Sequence, residues 1–270
     1  MKILFIGAGN MGQAIIGGIC GQMFAPNEID IYEINEATRQ NVTAKFGVGA
    51  ISDLSNIGNY DFILFALKPQ VLAGFVGQNG SVINKQLNAA KTTIITIMAG
   101  VSIAKIQEAF GNIPTVRVMP NTPALVGESM SVLCGSDGIS EDRMAKVRQI
   151  FDSVGKTEVM AESYLDAVTG LSGSGPAYIY LIIEALTSGG VWAGLPKPIA
   201  QKLAVQTVKG TVAMIEQNGD KAIEDLRHAV TSPGGTTIAG LAAMERNGVR
   251  NALMEAVKDA AERSAELGKR

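Results

Sequence analysis

The feature that most constrains this chain is a glycine pattern close to its start. A short apolar run that ends at Ile6 is followed directly by Gly7-Ala8-Gly9-Asn10-Met11-Gly12, where a helical pattern begins. In this context Gly7 permits a tight turn, Gly9 lets the backbone approach a pyrophosphate, and Gly12 lets the helix pack closely on a sheet. The N-terminus of such a helix favours phosphate through its free N–H groups and dipole. The residues predicted to bind a dinucleotide here are Gly7, Gly9, Asn10, Met11 and Gly12.

The end of the second apolar run indicates which dinucleotide is preferred. Glu33 lies there, about 20 residues beyond Gly12, where a carboxylate accepts hydrogen bonds from the ribose 2′-hydroxyl and repels a 2′-phosphate. Arg39 lies further into the next helical pattern and is a candidate for reaching a phosphate. We therefore expect NAD(P)H as cofactor, with NADH preferred. A solvated strand end is the structural alternative for Glu33.

Short apolar runs alternate with helical patterns up to about residue 160, which is typical of βαβ units around a parallel sheet. The predicted strands are Ile3-Phe5, Ile29-Tyr32, Phe62-Phe65, Thr93-Ile97 and Val116-Met119. The later residues show helical patterns only. The fold class predicted is therefore an α/β Rossmann dinucleotide-binding domain over residues 1–161, followed by an all-α domain over residues 162–270.

The helical part is expected to begin with Ser163-Tyr164-Leu165-Asp166, which fits a capping box. Further on, apolar residues keep helical spacing from Val205 to Ile215 and from Val249 to Ala260, which predicts amphipathic helices. The segment 177–183 is apolar all the way round, and a small helical domain would struggle to cover it. We infer burial by a second copy of the chain; a central helix of one domain is the alternative.

Composition excludes several classes of protein. The net charge of −2 provides no basic excess for nucleic acid. Two cysteines, Cys20 and Cys134, and a single histidine, His228, cannot build a disulfide framework or a metal site, and we expect both thiols to be buried and reduced. No apolar stretch approaches the roughly 18 residues of a membrane span. We therefore expect a cytoplasmic protein with no membrane partner.

Four motifs carry a resemblance to a known family. The longest, from Asp225 to Glu245, reads DLRHAVTSPGGTTIAGLAAME. The others are Ala66-Leu67-Lys68-Pro69, Asn121-Thr122-Pro123 and Leu171-Ser172-Gly173-Ser174-Gly175-Pro176-Ala177. With the glycine pattern at residue 7 they run in the order and spacing of the pyrroline-5-carboxylate reductases, which the chain resembles over essentially its whole length.

The resemblance implies an enzyme that reduces 1-pyrroline-5-carboxylate to L-proline, the last step of proline synthesis, by hydride transfer from a nicotinamide. It implies a helical dimerisation domain, and a homodimer or a larger ring of such dimers. It also implies that Ala66, Lys68 and Pro69 lie along the cofactor. The residues implied to hold the substrate are Ser232, Gly234, Gly235 and Thr237.

Two departures from the family pattern affect the predicted site. Glu33-Ile34 stands where many NADPH-using members carry a polar pair such as Asn-Arg. The stretch before the long motif, where the family often has a substrate-contacting Glu, offers only Asp220, which we leave out of the site. We also assign no role to His228, because a lone histidine on a helix is more often solvated. Lys68 is expected to position rather than to donate a proton, since Pro69 restricts the backbone before it.

The stretch from Ser232 to Thr237 is suited to an anionic substrate. Ser232 is predicted to cap a helix whose first residue is Pro233. Two glycines in a first turn cost on the order of 1 kcal/mol each, which close approach of a carboxylate to the backbone would justify. Thr237 is the candidate catalytic residue, since its hydroxyl can donate a hydrogen bond to the imine nitrogen. A hydroxyl is a weak acid, so an imine protonated in solution is the other source of the proton.

Three other functions are compatible with a dinucleotide-binding start. A β-hydroxyacid dehydrogenase would need a lysine soon after a glycine-rich stretch, but none follows Gly173-Ser174-Gly175 before Lys197. A regulatory protein that binds NAD(P) without turnover would lack a substrate motif, and here that motif is intact. The third function, reduction of a related cyclic imine, is an alternative that the sequence leaves open.

Overall fold

The computed structural model describes residues 1–268. The last two residues of the predicted C-terminal domain, 269 and 270, lie outside the described residues. Contacts group the chain into two compact units. The first combines Met1–Ser174 with the chain from Asp259 onward, and the second is Gly175–Lys258.

The first unit is built around one sheet, and its described residues form eight strands. The strands are β1 (Ile3–Ile6), β2 (Ile29–Tyr32), β3 (Gly49–Ala50), β4 (Phe62–Phe65), β5 (Thr93–Thr96), β6 (Thr115–Met119), β7 (Ser129–Gly135) and β8 (Gly155–Val159). Their order is β3-β2-β1-β4-β5-β6-β7-β8, and all neighbours are parallel except β6 and β7. The carboxyl ends of β1, β2 and β4 therefore lie side by side.

Helices cover both faces of this sheet. They are α1 (Asn10–Ile19), α2 (Glu36–Phe46), α3 (Leu72–Gln86), α4 (Ile103–Phe110), α5 (Glu141–Asp152) and α6 (Leu165–Val168). In β1, Ile3 and Phe5 join the core beneath α1 and α5, whereas Leu4 and Ile6 join the core beneath α3 and α4. Since successive side chains of a strand point to opposite faces, an apolar run without alternation suits a strand that is covered on both sides. This explains the continuous apolar runs in the sequence.

The five predicted strands and the Rossmann class are confirmed, but the sheet extends beyond them. The strands that the sequence did not signal are β3, β7 and β8. In β7, polar Ser129 and Ser131 are buried as completely as their apolar neighbours. Because hydrogen bonds within the fold satisfy these hydroxyls, burial did not require an apolar sequence there.

The predicted capping box at Ser163 is wrong. A 3-10 turn over Glu162–Tyr164 leads into α6, whose N-cap is Tyr164 and receives no side-chain hydrogen bond. The two carboxylates of this segment instead bind distant partners. Glu162 Oε1 accepts from the N–H of Ile103 at 2.8 Å and from buried Arg117 at 3.1 Å, and Asp166 Oδ1 accepts from the hydroxyl of Ser264 at 2.6 Å. Tertiary contacts therefore replaced the local cap.

Helices form the remaining structure. A π-helical turn over Thr169–Gly173 is followed by α7 (Gly175–Trp192), α8 (Lys197–Gln217), α9 (Ile223–Ala229), α10 (Thr236–Arg246) and α11 (Val249–Gly268). The helical spacing read from Val205 and from Val249 is thus confirmed. Within the second unit α7 packs on α8. Large apolar side chains of α7 are nevertheless exposed to solvent, such as Leu181 at 66% and Trp192 at 91%.

The two cysteines differ in their surroundings. Cys134 is buried and Cys20 is half-buried, and both are free thiols. Burial, and after it the Glu162 carboxylate, raises the pKa of the Cys134 thiol. The expectation of buried thiols therefore holds fully only for Cys134. Among residues 1–268, no helix combines the length and the apolar character that crossing a membrane requires.

Candidate functional site

The glycine loop lies at the carboxyl end of β1, in contact with the neighbouring strands. The N–H of Gly7 donates to the carbonyl oxygen of Tyr32 at 2.9 Å, and the N–H of Ala66 donates to that of Ile6 at 2.9 Å. Gly7 has φ +92°, and a Cβ there would lie 2.9 Å from the carbonyl oxygen of Ala66. A Cβ on Gly12 would lie 3.0 Å from the carbonyl oxygen of Gly7. Gly7 and Gly12 are therefore glycines because the protein itself leaves no room.

Gly9 differs, because nothing among residues 1–268 requires a glycine there. Its φ is −68°, which every residue adopts, and no atom lies within 4 Å of the position that a Cβ would take. Gly9 is also the N-cap of α1 and offers no side-chain acceptor to the first-turn N–H groups of Asn10, Met11 and Gly12. An open space beside uncapped N–H groups fits a phosphate. The residues present therefore fit a dinucleotide.

Glu33 lies at the carboxyl end of β2 and contacts the glycine loop. Its Oε2 accepts from the N–H of Ala8 at 2.9 Å, and its Oε1 accepts from the N–H of Asn35 at 2.8 Å. An ionised carboxylate has about four acceptor positions, so both oxygens can still accept from a ligand hydroxyl. Each oxygen of the carboxylate therefore accepts one backbone hydrogen bond and can accept another from a ligand.

Arg39 is closer to this carboxylate residue than the sequence indicated. From α2 its Nη1 donates to the backbone carbonyl oxygen of Glu33 at 3.3 Å. An arginine beside the ribose position is the group that accommodates a 2′-phosphate in related folds. The end of β2 therefore presents a carboxylate and a guanidinium together, and sequence spacing alone did not reveal their contact.

The segment Ala66 to Pro69 leaves β4 beside the glycine loop. Lys68 has φ −69° and ψ 138°, the extended conformation that a following proline favours, and Pro69 begins a 3-10 turn. The side chain of Lys68 is exposed. The structure thus brings Ala66, Lys68 and Pro69 to the same edge of the sheet as Gly7 and Glu33.

The segment Ser232 to Gly235 forms a turn, so the predicted helix start at Ser232 and Pro233 is wrong. The N–H of Gly235 donates to the carbonyl oxygen of Ser232 at 3.1 Å, and Gly234 has φ +70°. Proline followed by a glycine with positive φ suits the two central positions of a type II turn. The helix α10 begins only at Thr236, with Gly235 as N-cap. Turn chemistry therefore prevailed over the helix-start signal.

This later start still leaves an uncapped helix N-terminus. Gly235 has no side chain to accept from the first N–H groups of α10. The side chains of Ser232 and Thr237 are exposed, and their hydroxyls have no hydrogen-bond partner among residues 1–268. Ser232, Gly234, Gly235 and Thr237 thus lie together in the second unit, whereas the predicted cofactor residues lie together in the first.

Asn121 connects two of the sequence motifs, a role that the sequence reasoning missed. Its Nδ2 donates to the carbonyl oxygen of Ser172 at 3.0 Å, and its Oδ1 accepts from the N–H of Met130 at 3.0 Å. Ser172 belongs to the π-helical turn, a rare element that is frequent at functional sites. The motif around Asn121 therefore holds the motif around Ser172 in place.

Comparisons with known proteins agree with this architecture. A family model described as pyrroline-5-carboxylate reductase dimerisation matches residues 162–267, and one described as NADP oxidoreductase, coenzyme F420-dependent, matches residues 2–100. Pyrroline-5-carboxylate reductase from Synechocystis is 43% identical, covering 100% of this chain and 99% of its own length. The protein of that name from Arabidopsis thaliana is 42% identical, covering 98% and 95%. This chain belongs to the pyrroline-5-carboxylate reductase family.

A solved structure of a pyrroline-5-carboxylate reductase agrees as well. The enzyme from Plasmodium falciparum, with NADP bound, has a TM-score of 0.84 at 32% identity and covers 99% of this chain and 98% of its own. Membership of the pyrroline-5-carboxylate reductases confirms the sequence-based resemblance, the class of oxidoreductase and the dependence on NAD(P)H. The individual roles of the site residues stay predictions.

Proposed function

We propose that this chain reduces 1-pyrroline-5-carboxylate to L-proline, the last step of proline synthesis, and that it uses NADH in preference to NADPH. The observation that carries the reaction is the full-length identity of 43% to a pyrroline-5-carboxylate reductase. Initial rates with purified chain, this substrate and each reduced cofactor in parallel test it. Absence of turnover with either cofactor would contradict the reaction, whereas faster turnover with NADPH would contradict only the preference.

We assign the cofactor to the carboxyl edge of β1, β2 and β4. Gly7, Gly9 and Gly12 bring the backbone and the start of α1 to the pyrophosphate, with the N–H groups of Asn10 and Met11 as further donors. Glu33 accepts from the ribose hydroxyls. Ala66, Lys68 and Pro69 line the nicotinamide end. When bound, the reduced nicotinamide supplies the hydride, and this chain holds the acceptor in place and excludes water around it.

The NADH preference rests on the carboxylate of Glu33, which would repel a 2′-phosphate. Replacing it, Glu33→Ala, removes that repulsion and leaves Arg39 in place, so the ratio of kcat/KM for NADH over NADPH should fall about tenfold, roughly the effect of 1.4 kcal/mol. Steady-state kinetics with both cofactors measure it. Glu36→Ala is the matched control, since that carboxylate is exposed three residues further on. An unchanged ratio of kcat/KM for the two cofactors in Glu33→Ala would contradict the role of Glu33 in cofactor selection.

We assign the substrate carboxylate to the turn before α10. Gly234 and Gly235 expose backbone there, and the start of α10 has no side-chain cap, so an anion finds free donors and a favourable helix dipole. Ser232 adds an exposed hydroxyl as a further donor. A Cβ on Gly235 would lie 2.5 Å from that hydroxyl oxygen, so a glycine keeps Ser232 in its place.

Thr237 is the residue we assign to the reacting imine. Its Oγ1 is exposed at the second position of α10 and donates a hydrogen bond to the imine nitrogen, which favours the charge that develops there. Thr237→Ala should lower kcat about tenfold, roughly the loss of a hydrogen bond to a charged group, and change the cofactor dissociation constant little. Thr236→Ala, the neighbouring exposed threonine, is the control, and Thr237→Ser should restore turnover. Wild-type turnover in Thr237→Ala would refute the role.

The partner we propose is a second copy of the chain, which packs on the C-terminal helices. Support comes from the exposed apolar side chains of α7 and from the family model of dimerisation that matches residues 162–267. A ring of such dimers is the larger assembly that the sequence left open.

We also propose that the chain divides into a dinucleotide domain over 1–161 and a dimerisation and substrate domain over 162–270. We propose a cytoplasmic location as well, which cell fractionation tests.

A further inference from the structure

A cavity lies in the first unit, whereas the residues assigned to substrate belong to the second unit. It has a volume of about 750 Å³ and lies between α3, α4 and the last turns of α11. This volume falls within the roughly 300 to 1,000 Å³ of small-molecule sites. Its wall is mainly apolar, and the apolar residues that line it include Leu72, Val76, Val101, Ala109 and Leu267.

Three charged side chains border this cavity, and their situations differ. Arg263 pairs with Glu266 at 2.6 Å, and Glu108, which also lines the cavity, is exposed to water. Lys105, on α4, is half-buried, and its ammonium has no carboxylate partner among residues 1–268. Water and salt screen an exposed carboxylate such as that of Glu108 more strongly than a charge on a half-buried side chain. The cavity therefore combines an apolar wall with one positive charge on a half-buried side chain, Lys105, and one exposed negative charge, Glu108.

We propose that this cavity is a binding site for a small amphipathic carboxylate. The hydrocarbon part of the ligand packs against the apolar wall formed by α3, α4 and α11, and its carboxylate pairs with Lys105. Charge complementarity selects the carboxylate over a cation of the same length. The apolar wall selects it over a purely polar anion.

The location of the cavity links it to the cofactor. Pro69 and Gln70 line it and directly follow Lys68, and the N–H of Val71 donates to the carbonyl oxygen of Lys68 at 2.9 Å. A ligand in the cavity therefore contacts the same turn that we assign to the nicotinamide end. Binding of the carboxylate changes the affinity for NAD(P)H, and by linkage the cofactor changes the affinity for the carboxylate by the same factor. This second statement rests on the proposed role of that turn.

The purified full chain offers matched variants for a test with octanoate as probe. Gly77 lines the cavity, and no atom of residues 1–268 lies within 4 Å of a Cβ placed there, so the side chain of Gly77→Leu occupies part of the cavity without a clash at its Cβ. Gly74, also on α3 and equally open, does not line it, and Gly74→Leu is its control. Lys105→Gln removes the positive charge that borders the cavity. Its control is Lys85→Gln, which removes a positive charge from the exposed end of α3.

Calorimetric titration measures binding without any need for turnover. We expect octanoate to bind the wild type, Gly74→Leu and Lys85→Gln alike, to bind Lys105→Gln about fivefold more weakly, as for a partly screened ion pair, and not to bind Gly77→Leu. Octylammonium should bind more weakly than octanoate. Absence of octanoate binding to the wild type, or equal binding to Gly77→Leu, overturns the site, and equal binding to Lys105→Gln overturns its charge selectivity.

A second measurement separates the site from its coupling to the cofactor. The NADH dissociation constant, followed by fluorescence, should shift at least about fivefold with saturating octanoate, a coupling at the small end of those found in allosteric proteins. The shift should disappear in Gly77→Leu. An unchanged dissociation constant with octanoate bound overturns the coupling alone. Failure of the reductase assignment would appear separately, as loss of turnover without octanoate.

Discussion

At the scale of single residues, the three glycines of the dinucleotide motif have different physical reasons. Gly7 has a positive φ and a carbonyl oxygen 2.9 Å from the position of a Cβ, and Gly12 faces a carbonyl oxygen at 3.0 Å. Gly9 has an ordinary φ and open space. Protein packing therefore explains the first two, whereas the third is explained by the cofactor site that we propose.

This difference predicts opposite effects of alanine at two neighbouring positions. Gly7→Ala should lower the free energy of unfolding by about 1–3 kcal/mol, because it combines a strained φ with a steric clash. Gly9→Ala should leave stability unchanged or raise it by up to about 1 kcal/mol through the entropy of the unfolded chain, and weaken cofactor binding about tenfold by blocking the pyrophosphate. Urea unfolding and NADH titration check both. Normal cofactor affinity in Gly9→Ala would contradict the cofactor site.

At the scale of elements, loops between strands and helices position the motifs. The loop after β6 carries Asn121, whose amide reaches both β7 and the π-helical turn before α7. At the start of α10 a turn with glycine at positive φ replaces the helix predicted from Ser232. In both places a segment without regular structure determines where a motif lies.

The bridging role of Asn121 predicts a cost for its removal. Asn121→Ala leaves the carbonyl oxygen of Ser172 and the N–H of Met130 without this partner, so the free energy of unfolding should fall by about 2 kcal/mol. Urea denaturation measures it. Asn56→Ala is the control, because that side chain is exposed and caps nothing. Equal stability of the two variants would show that the bridge contributes nothing.

At the scale of the whole molecule, apolar surface indicates a partner. On α7, Tyr180 is 65% and Leu181 is 66% exposed, and on α11 Met254 is 65% exposed. Monomeric proteins rarely leave large apolar patches in water, since burying such surface is favourable by about 25 cal/mol per Å². A second copy that covers these helices would remove the exposure.

Introducing a charge on this surface should therefore change the mass of the particle. Leu181→Glu places a carboxylate where the proposed interface is apolar, so light scattering should report a monomer, because burial of an unpaired charge is costly. Val82→Glu, the same kind of change on the exposed side of α3, should leave the mass of the assembly unchanged. An assembly that survives Leu181→Glu would place the interface elsewhere.

The sequence by itself determined five of the strands, the helical second half, the glycine loop and the resemblance to the family. Its periodic apolar runs and glycine spacing depend on contacts between near neighbours, which a linear pattern records. The five strands predicted from such runs are the mutually parallel strands β1, β2, β4, β5 and β6, which are buried on both faces except for β2, where one face is half-buried.

Only the tertiary structure decided the features that depend on distant residues. The carboxylates of Glu162 and Asp166 bind Ile103, Arg117 and Ser264 rather than capping their own helix, and the hydroxyls of β7 are satisfied by Asn121 and by one another. Arg39 contacts Glu33 across a helix start. In each case a polar side chain had several possible partners, and the fold selected the one that could be reached on burial, because an unpaired buried polar group is costly.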